Sequence, residues 1–338
     1  MSPPERDAPT PPAAAALGAE TTAAVGGAIG VRRRVAFVNF PDIANVGDPL
    51  LWLGARTIFD DIGVSLVYQA RPKDFDPDAV SELDDLDMIV LNGGGNFGDV
   101  WPGQHQTRQR VFNRFPDRAI LQLPQTLWYN NKANLMRDAE MISRLDSAVL
   151  MWRERRSYEL AERVFDATNI LVPDTAFGYQ TTAFATGGSG ITWLLRTDRE
   201  SIHHDPQRAR ATCPDTQWVT ENDQAGSDID VLRTSLTEAH LNPIVNAQAI
   251  DTIHRELAMI RVQRGTDLLG LGAVTITDRL HGVILSAAIN IPVIALDNRS
   301  HKVHGVIDTH LSHLPLVSKA TSLEDAASQA NKLLERPV

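Results

Sequence analysis

From residue 35 onward, short runs of β-branched and aromatic residues alternate with longer amphipathic stretches, and no other feature restricts the fold of this chain as much. After the basic triplet Arg32 to Arg34, "VAFVNF" reads as a buried strand. "NVGDPLLWLGARTIFDDIG" follows as a helix, with Asp48 as its cap, Pro49 in its first turn and Gly63 at its end. "VSLVYQA", "DMIVLN", "AILQLP", "SAVLMWR" and "ATNILVPD" read as further strands, with helical patterns over 104–115 and 156–165 among them. Strand and helix in alternation predict an α/β fold with a parallel, doubly wound sheet.

Near residue 180 the pattern is interrupted by "QTTAFATGGSG", small, polar and glycine-rich as a linker would be. A second α/β unit starts beyond it. "ITWLLRTDRE" is a strand ending in charge, "AQAIDTIHRELAMIRVQ" an amphipathic helix, "AVTITD" a strand, "VILSAAIN" a short helix and "IPVIALD" another strand. "TSLEDAASQANKLLE", with a capping box from Thr321 to Glu324, closes the chain as a helix. The 338 residues suffice for two cores of roughly 150 residues each. The expected division is a leader over 1–31, one Rossmann-like domain over 32–180, a second over 181–318, and a helix and tail over 319–338. The leader is rich in Pro, Ala, Gly and Thr and lacks the basic and apolar regions of a signal peptide, so disorder is expected there.

Two such halves turn the loops at their strands' carboxyl ends towards a shared cleft, where ligands of open α/β sheets bind. The formal net charge of -10 argues against nucleic acid or an anionic membrane surface as partner. No apolar run reaches the ~18 residues of a transmembrane segment. The single cysteine, Cys213, cannot form an intrachain disulfide and fits a reducing compartment. A cytoplasmic location is expected, at most peripheral to the inner membrane face.

The unusual residues gather in those loops. "NGGGNFGD", 92–99, contains Gly-x-Gly-x-x-Gly, but it follows the third strand and has no acidic ribose partner after the next one. Its glycines, Gly93, Gly94, Gly95 and Gly98, fit a tight turn or a ligand loop that carries Asn96 and Asp99. In "NVGD", which holds Asn45 and Asp48, the step from Asp48 to Pro49 is helix-start chemistry and by itself needs no ligand. Gln125, in "LPQTL", stands where a strand enters a turn beside the cleft. In "TITDRLHGVILSAAINIPVIALD", residues 275–297, Arg279 and His281 fall where the short helix begins. Unpaired backbone N–H groups, the positive dipole end and a guanidinium then point to one place, which suits an anion. His281 would stand beside that anion as the proton donor or acceptor, since imidazole titrates near neutrality. Arg196 of "RTDRE" and Arg153 of "WRERRS" lie at strand ends aimed at the same cleft, and "DNRSHKVHG" adds Lys302. His301 and His304 beside it lack the acidic partners and three-ligand spacing of a catalytic zinc, so no metal is expected.

The ordered set "NVGD", "NGGGNFGD", "LPQT", "VPD", "RTDRE", "TDRLHGVILSAAINIPVIALDN" and "HK" resembles the polysaccharide pyruvyl transferase family, over residues 34 to 318. The resemblance implies two Rossmann-like domains facing across a cleft, similar to GT-B glycosyltransferases, with the acceptor on the N-terminal side and the donor on the C-terminal side. It implies transfer of an enolpyruvate-derived unit from phosphoenolpyruvate onto two hydroxyls of a sugar, giving a cyclic pyruvate ketal and phosphate. Phosphoenolpyruvate is a co-substrate there, and no cofactor is expected. The acceptor is a sugar or glycan, with lipid-linked forms among those left open. The block Arg279, Leu280, His281 carries the donor role, with His281 and Arg279 catalytic. Arg196, Arg153 and Lys302 supply further cations to the donor, and Asn45, Asp48, Asn96, Asp99 and Gln125 are assigned to the acceptor or the cleft. A nucleotide-sugar glycosyltransferase on a similar frame is the competing reading, and a dinucleotide-binding module using Gly93 to Gly98 is a third.

Overall fold

A computed structural model describes residues 12–180, 188–202, 216–223 and 227–335. Among these, the alternation becomes two parallel sheets. The first has seven strands: β1 (Arg34–Val38), β2 (Ser65–Ala70), β3 (Met88–Leu91), β4 (Gly94–Phe97), β5 (Ala119–Leu127), β6 (Ser147–Trp152) and β7 (Thr168–Leu171). Their order is β2-β1-β3-β5-β6-β7, with β4 paired to β5. The second comprises β8 (Ile191–Leu194), β9 (Gln217–Trp218), β10 (Val274–Thr277), β11 (Val293–Ala295) and β12 (Val317–Lys319), in the order β12-β11-β10-β8-β9. β3 and β10 are buried along their whole length, as strands covered by helices on both faces must be.

The helices are α1 (Pro12–Ile29), α2 (Gly47–Asp61), α3 (Pro77–Ser81), α4 (Pro102–Arg114), α5 (Lys132–Ile142), α6 (Arg155–Val164), α7 (Asp228–Ala239), α8 (Ala247–Leu269), α9 (Leu280–Ala288), α10 (Lys302–Val306) and α11 (Leu323–Leu334). None is long and apolar enough to cross a membrane. The period-two alternation of each strand feeds different interiors. Val35 and Phe37 of β1 join one buried cluster, while Ala36 and Val38 join another on the opposite face. The first of these clusters continues through Trp52 of α2 and Leu257 of α8 to Val283 of α9 and Val293 of β11. The two sheets therefore share an interior filled by helices, and a third cluster, with Ile276 and Ile294, lies on the far face of the second sheet. Polar ties add to the shared layer: Asp251 of α8 accepts from Arg56 Nε at 2.9 Å and from Gln69 Nε2 at 2.9 Å.

The expectation of a disordered leader does not hold for residues 12–29, which form α1. Leu17, Thr21, Val25 and Ile29 recur four positions apart and are buried, and Thr21 Oγ1 donates to Pro173 O at 3.3 Å. Alanine is the strongest helix former, and burying a Val or Ile contributes about 1.5–3 kcal/mol, so a stripe of few apolar residues is enough. Residues 1–11, part of the expected linker (181–187) and Cys213 lie outside the described residues.

Four local readings also change. "LPQTL" is the end of a strand as expected, but Gln125 does not stand at the turn, because β5 runs through it to Leu127. The glycine stretch contains β4, with φ of 132° at Gly94 and 131° at Gly98. The cap of α2 is supplied by Asn45, whose Oδ1 accepts from the Asp48 N–H at 2.9 Å, and not by Asp48. The capping box of α11 is shifted by one residue, since Ser322 Oγ accepts from the Asp325 N–H while Asp325 accepts from the Thr321 N–H.

Candidate active site

A parallel sheet delivers the carboxyl ends of all its strands to one edge. At the end of β10, Thr277 Oγ1 donates to Leu194 O at 2.6 Å and accepts from the Arg279 N–H at 3.1 Å, while Asp278 Oδ1 accepts from the Arg196 N–H at 2.8 Å. These bonds fix the turn in which Arg279, with extended backbone, caps α9. His281 then sits in the first turn of α9, as the strand–turn–helix pattern predicts. The start of α2 meets the start of α9: a methyl group at Gly47 would overlap His281 Nδ1. Two helix N-termini, each with unpaired N–H groups and a positive dipole end, thus converge on one imidazole.

Charged groups hold this point from both sheets. Arg153, fully buried after β6, donates from Nη1 to Asp174 Oδ2 at 2.6 Å and from Nε to Thr126 Oγ1 at 3.0 Å. His281 Nε2 lies 3.4 Å from the same Asp174 oxygen and 3.3 Å from Arg153 Nη1. Burial alone would push the Asp174 carboxyl up, but the charges of Arg153 and His281 override it and hold Asp174 well below the usual carboxylate range. Behind Arg153, burial pushes Glu154 up to about 7 although Ser157 and Arg153 oppose it. Lys302 donates to both oxygens of Glu200 at 2.8 Å, and Arg196 bonds Glu200 and also Asp198, at 2.8 Å. Burial raises the Glu200 carboxyl, and the two cations more than reverse this, so it is ionised. Arg279 pairs with Glu221 at 3.1 Å, whose other oxygen accepts from the Val46 N–H at 2.7 Å.

These groups line a cavity that encloses about 740 Å³, including space open to solvent. Arg153, Arg196, Arg279 and Lys302 stand there with Asp48, Asp198, Glu200 and Glu221, so the lining is a set of held cations and not a bare positive hole. Two donors of the lining are left over, Arg153 Nη2 and Arg279 Nε. Arg153 Nη2 is buried and has no hydrogen-bond partner among the described residues. It points, with Lys302 Nζ, over Gly95: a methyl there would lie 3.1 Å from Nη2 and 2.6 Å from Nζ. A buried guanidinium with an unused N–H is costly unless something accepts from it, which suits an anion in the space above Gly95.

The structure brings together Asn45, Asp48, Asn96, Arg153, Arg196, Arg279, Leu280, His281 and Lys302 at this cavity. Gln125 and Asp99 do not line it. Gln125 is buried beneath the glycine loop, where its Oε1 accepts from the Asn96 N–H at 3.1 Å and its Nε2 donates to Asn92 O at 3.1 Å. Asp99 accepts from the N–H groups of Asn130 and Asn131 and from Asn134 Nδ2. Asn96 is itself gripped by Arg108, which donates to its Oδ1 at 2.8 Å. Sequence reasoning missed Glu221, the partner of Arg279, as well as Ile43, Trp101 and Gln104 on the wall. Glu200 and Asp198 were in view inside "RTDRE", but nothing local marked them as partners of Lys302 and Arg196. Among the described residues no group of His, Cys, Asp and Glu side chains has the arrangement of a metal site.

Gly47→Ala tests the seating of His281. Alanine suits a helix, but its methyl must displace the imidazole, and a misplacement on the order of 1 Å costs about 100-fold in rate. The expected result is a kcat lowered by roughly that factor while the thermal unfolding midpoint stays near that of the wild type. An unchanged kcat would show that His281 need not stay against Gly47.

Residues 45–301 match the family model described as polysaccharide pyruvyl transferase. Pyruvyl transferase 1 of Schizosaccharomyces pombe is 27% identical over 287 residues, which cover 79% of this chain and 66% of that protein, just under two thirds of its length. EpsO of Bacillus subtilis, provisionally named a pyruvyl transferase, is 28% identical over 297 residues, covering 86% and 90% of the two chains. A crystal structure of an uncharacterized protein from Klebsiella pneumoniae superposes with a TM-score of 0.60 at 14% identity, over 90% of this chain and 99% of that one, and shares the fold. The matched span begins at Asn45 and ends at His301, so it takes in every residue of the cavity wall but Ile43 and Lys302. The chain belongs to the polysaccharide pyruvyl transferase family.

Proposed function

We propose that the protein transfers the enolpyruvate-derived unit of phosphoenolpyruvate onto two hydroxyls of a sugar, forming a pyruvate ketal and releasing phosphate. The observation that carries this reading is the convergence of His281, Arg279 and the free Nη2 of Arg153 on one cavity. Phosphoenolpyruvate has two anionic groups on a three-carbon frame. In this reading one is taken by Arg153 Nη2 and Lys302 over Gly95, and the other by Arg279 and the helix starts. The two sheets then act as facing halves of a glycosyltransferase-like frame, the second holding most of the donor and the first presenting the acceptor.

His281 acts as the acid. Asp174 holds Nε2, and the ring so fixed gives its proton to the methylene carbon of the donor. Protonation turns the methylene into a methyl group and leaves an oxocarbenium-like C2. A sugar hydroxyl adds to C2 and gives up its proton. The C2–O bond to phosphate then breaks with its electron pair going to phosphate, and the neighbouring hydroxyl closes the ring. Two hydroxyl protons are released, which balances one on the methyl group and one on phosphate. Asp48, whose side chain is tied among the described residues only to Asn45 through Oδ2, is the carboxylate on the acceptor side that can take a hydroxyl proton.

Thermal unfolding with added ligands tests this directly. A ligand at 100 times its Kd stabilises by about 2.7 kcal/mol, so phosphoenolpyruvate at millimolar concentration should raise the midpoint by several degrees while nucleoside diphosphates leave it unchanged. The reverse pattern would favour nucleotide-sugar transfer. Mass spectrometry of a glycoside panel incubated with the donor should show the mass gain of a pyruvate ketal.

A further inference from the structure

Beside the cavity lies a groove that no part of this chemistry uses. Its wall is formed by Asp99, Val100, Trp128, Asn130, Arg199 and Arg299, and it encloses about 400 Å³, including space open to solvent. We propose that this groove is a second acceptor subsite, which holds an acidic sugar residue next to the one that reacts; the proposal rests on the pyruvyl-transfer reading. Two connections make groove and cavity one surface. Glu200 lines both, and Arg199 bridges them, with Nη1 donating to Val100 O at 2.8 Å and its guanidinium 5.1 Å from the ring of Trp101, which lines the cavity. A chain whose reacting sugar sits beside Trp101 then has its next residue on the side of Arg199, towards the groove.

The chemistry of the wall selects the ligand class. Trp128 is half-buried, with the Arg156 guanidinium 4.8 Å from its ring, and an indole of this kind packs against the C–H face of a sugar. Its backbone is fixed, because Trp128 N donates to Phe97 O at 2.9 Å. Both carboxylates in the groove are already occupied: Asp99 by three N–H donors of residues 130–134, and Glu200 by Lys302 and Arg196. The groups left for a ligand are donors. Arg299 is exposed and its guanidinium has no partner among the described residues, and Arg199 and the Asn130 amide flank it. A wall of guanidiniums with its acids engaged favours a carboxylate-bearing sugar over a neutral one.

Saturation-transfer NMR in the presence of phosphoenolpyruvate tests the subsite without needing turnover. The probes are oligogalacturonate and hyaluronan fragments, neutral cello- and malto-oligosaccharides, and the corresponding monosaccharides. For the wild type, an acidic oligosaccharide is expected to bind roughly tenfold tighter than its own monosaccharide, and Trp128→Ala and Arg299→Gln should each remove most of that gain. Both variants should keep the thermal shift with phosphoenolpyruvate. No gain with chain length, or a gain that survives both substitutions, would overturn the subsite. Neutral chains that gain as much as acidic ones would overturn the charge assignment. A wild type that shows the gain but no shift with phosphoenolpyruvate would count against the donor reading and leave the groove standing.

Discussion

His281→Ala is expected to lower kcat by about three orders of magnitude while leaving the KM for phosphoenolpyruvate within a few-fold of the wild type. The expectation comes from position. The imidazole is fixed on one edge by Asp174 and Arg153 and on the other by Gly47, so it is held for proton transfer, while the donor's anionic groups are left to Arg153, Lys302 and Arg279. General acid catalysis by a placed imidazole contributes roughly 100- to 10,000-fold, and nothing else on the wall stands at the same point. His281 is mostly buried, at 12% side-chain exposure, but it lies at the cavity and not inside a packed core, so the fold should survive. A retained thermal shift with phosphoenolpyruvate would confirm that the site is intact. Turnover within tenfold of the wild type would remove His281 from the chemistry.

Arg153→Met has the largest expected effect on stability. Arg153 and Asp174 are both fully buried, and removing one partner of such a pair leaves an uncompensated charge, at about 3–5 kcal/mol. The pH dependence separates this cause from a packing defect. In the wild type the Asp174 carboxyl is held below its unfolded value, so its contribution is present above about pH 4 and is lost as pH falls through the folded value. Without the guanidinium, burial dominates and the folded value rises above the unfolded one. The penalty is then absent below about pH 4 and grows as pH rises through the new folded value. The stability difference between wild type and variant should therefore shrink between pH 7 and pH 4.5 in urea titrations. A difference that stays constant over that range would assign the loss to packing. Arg153→Lys should recover much of the stability but not donor binding, because an ammonium cannot reach Asp174, Thr126 and the space over Gly95 together.

How much of this was legible in the sequence depended on whether the deciding contact was local. β3 was readable because a strand covered on both faces is an unbroken apolar run, and β10 because Val274 and Ile276 alternate with two β-branched threonines. α1 was not, because six buried positions in a run of Ala, Gly and Thr resemble a disordered tail until the surface they pack on is known. β9 is two residues long, Gln217 and Trp218, which leaves no pattern to read. At the site, Arg279 and His281 could be placed because strand, turn and helix start lie within a few residues. Their partners could not: Glu221 is 58 residues from Arg279 in sequence, and Asp174 is 107 from His281. Gln125 and Asp99 were near the right loops but point elsewhere. β5 continues past Gln125, and strand alternation then sends that amide under the glycine loop while Thr126, one position on, reaches Arg153.

The central claim is that one donor molecule bridges the buried N–H of Arg153 and the guanidinium of Arg279, with its methylene carbon against His281. A crystal structure of the protein with phosphoenolpyruvate bound tests it most directly. The expected result is one anionic group within hydrogen-bond distance of Arg153 Nη2 and Lys302 Nζ above Gly95, the other against Arg279, and the methylene carbon in contact with the His281 ring. Phosphoenolpyruvate bound away from Arg153, or with its methylene carbon turned from His281, would contradict it.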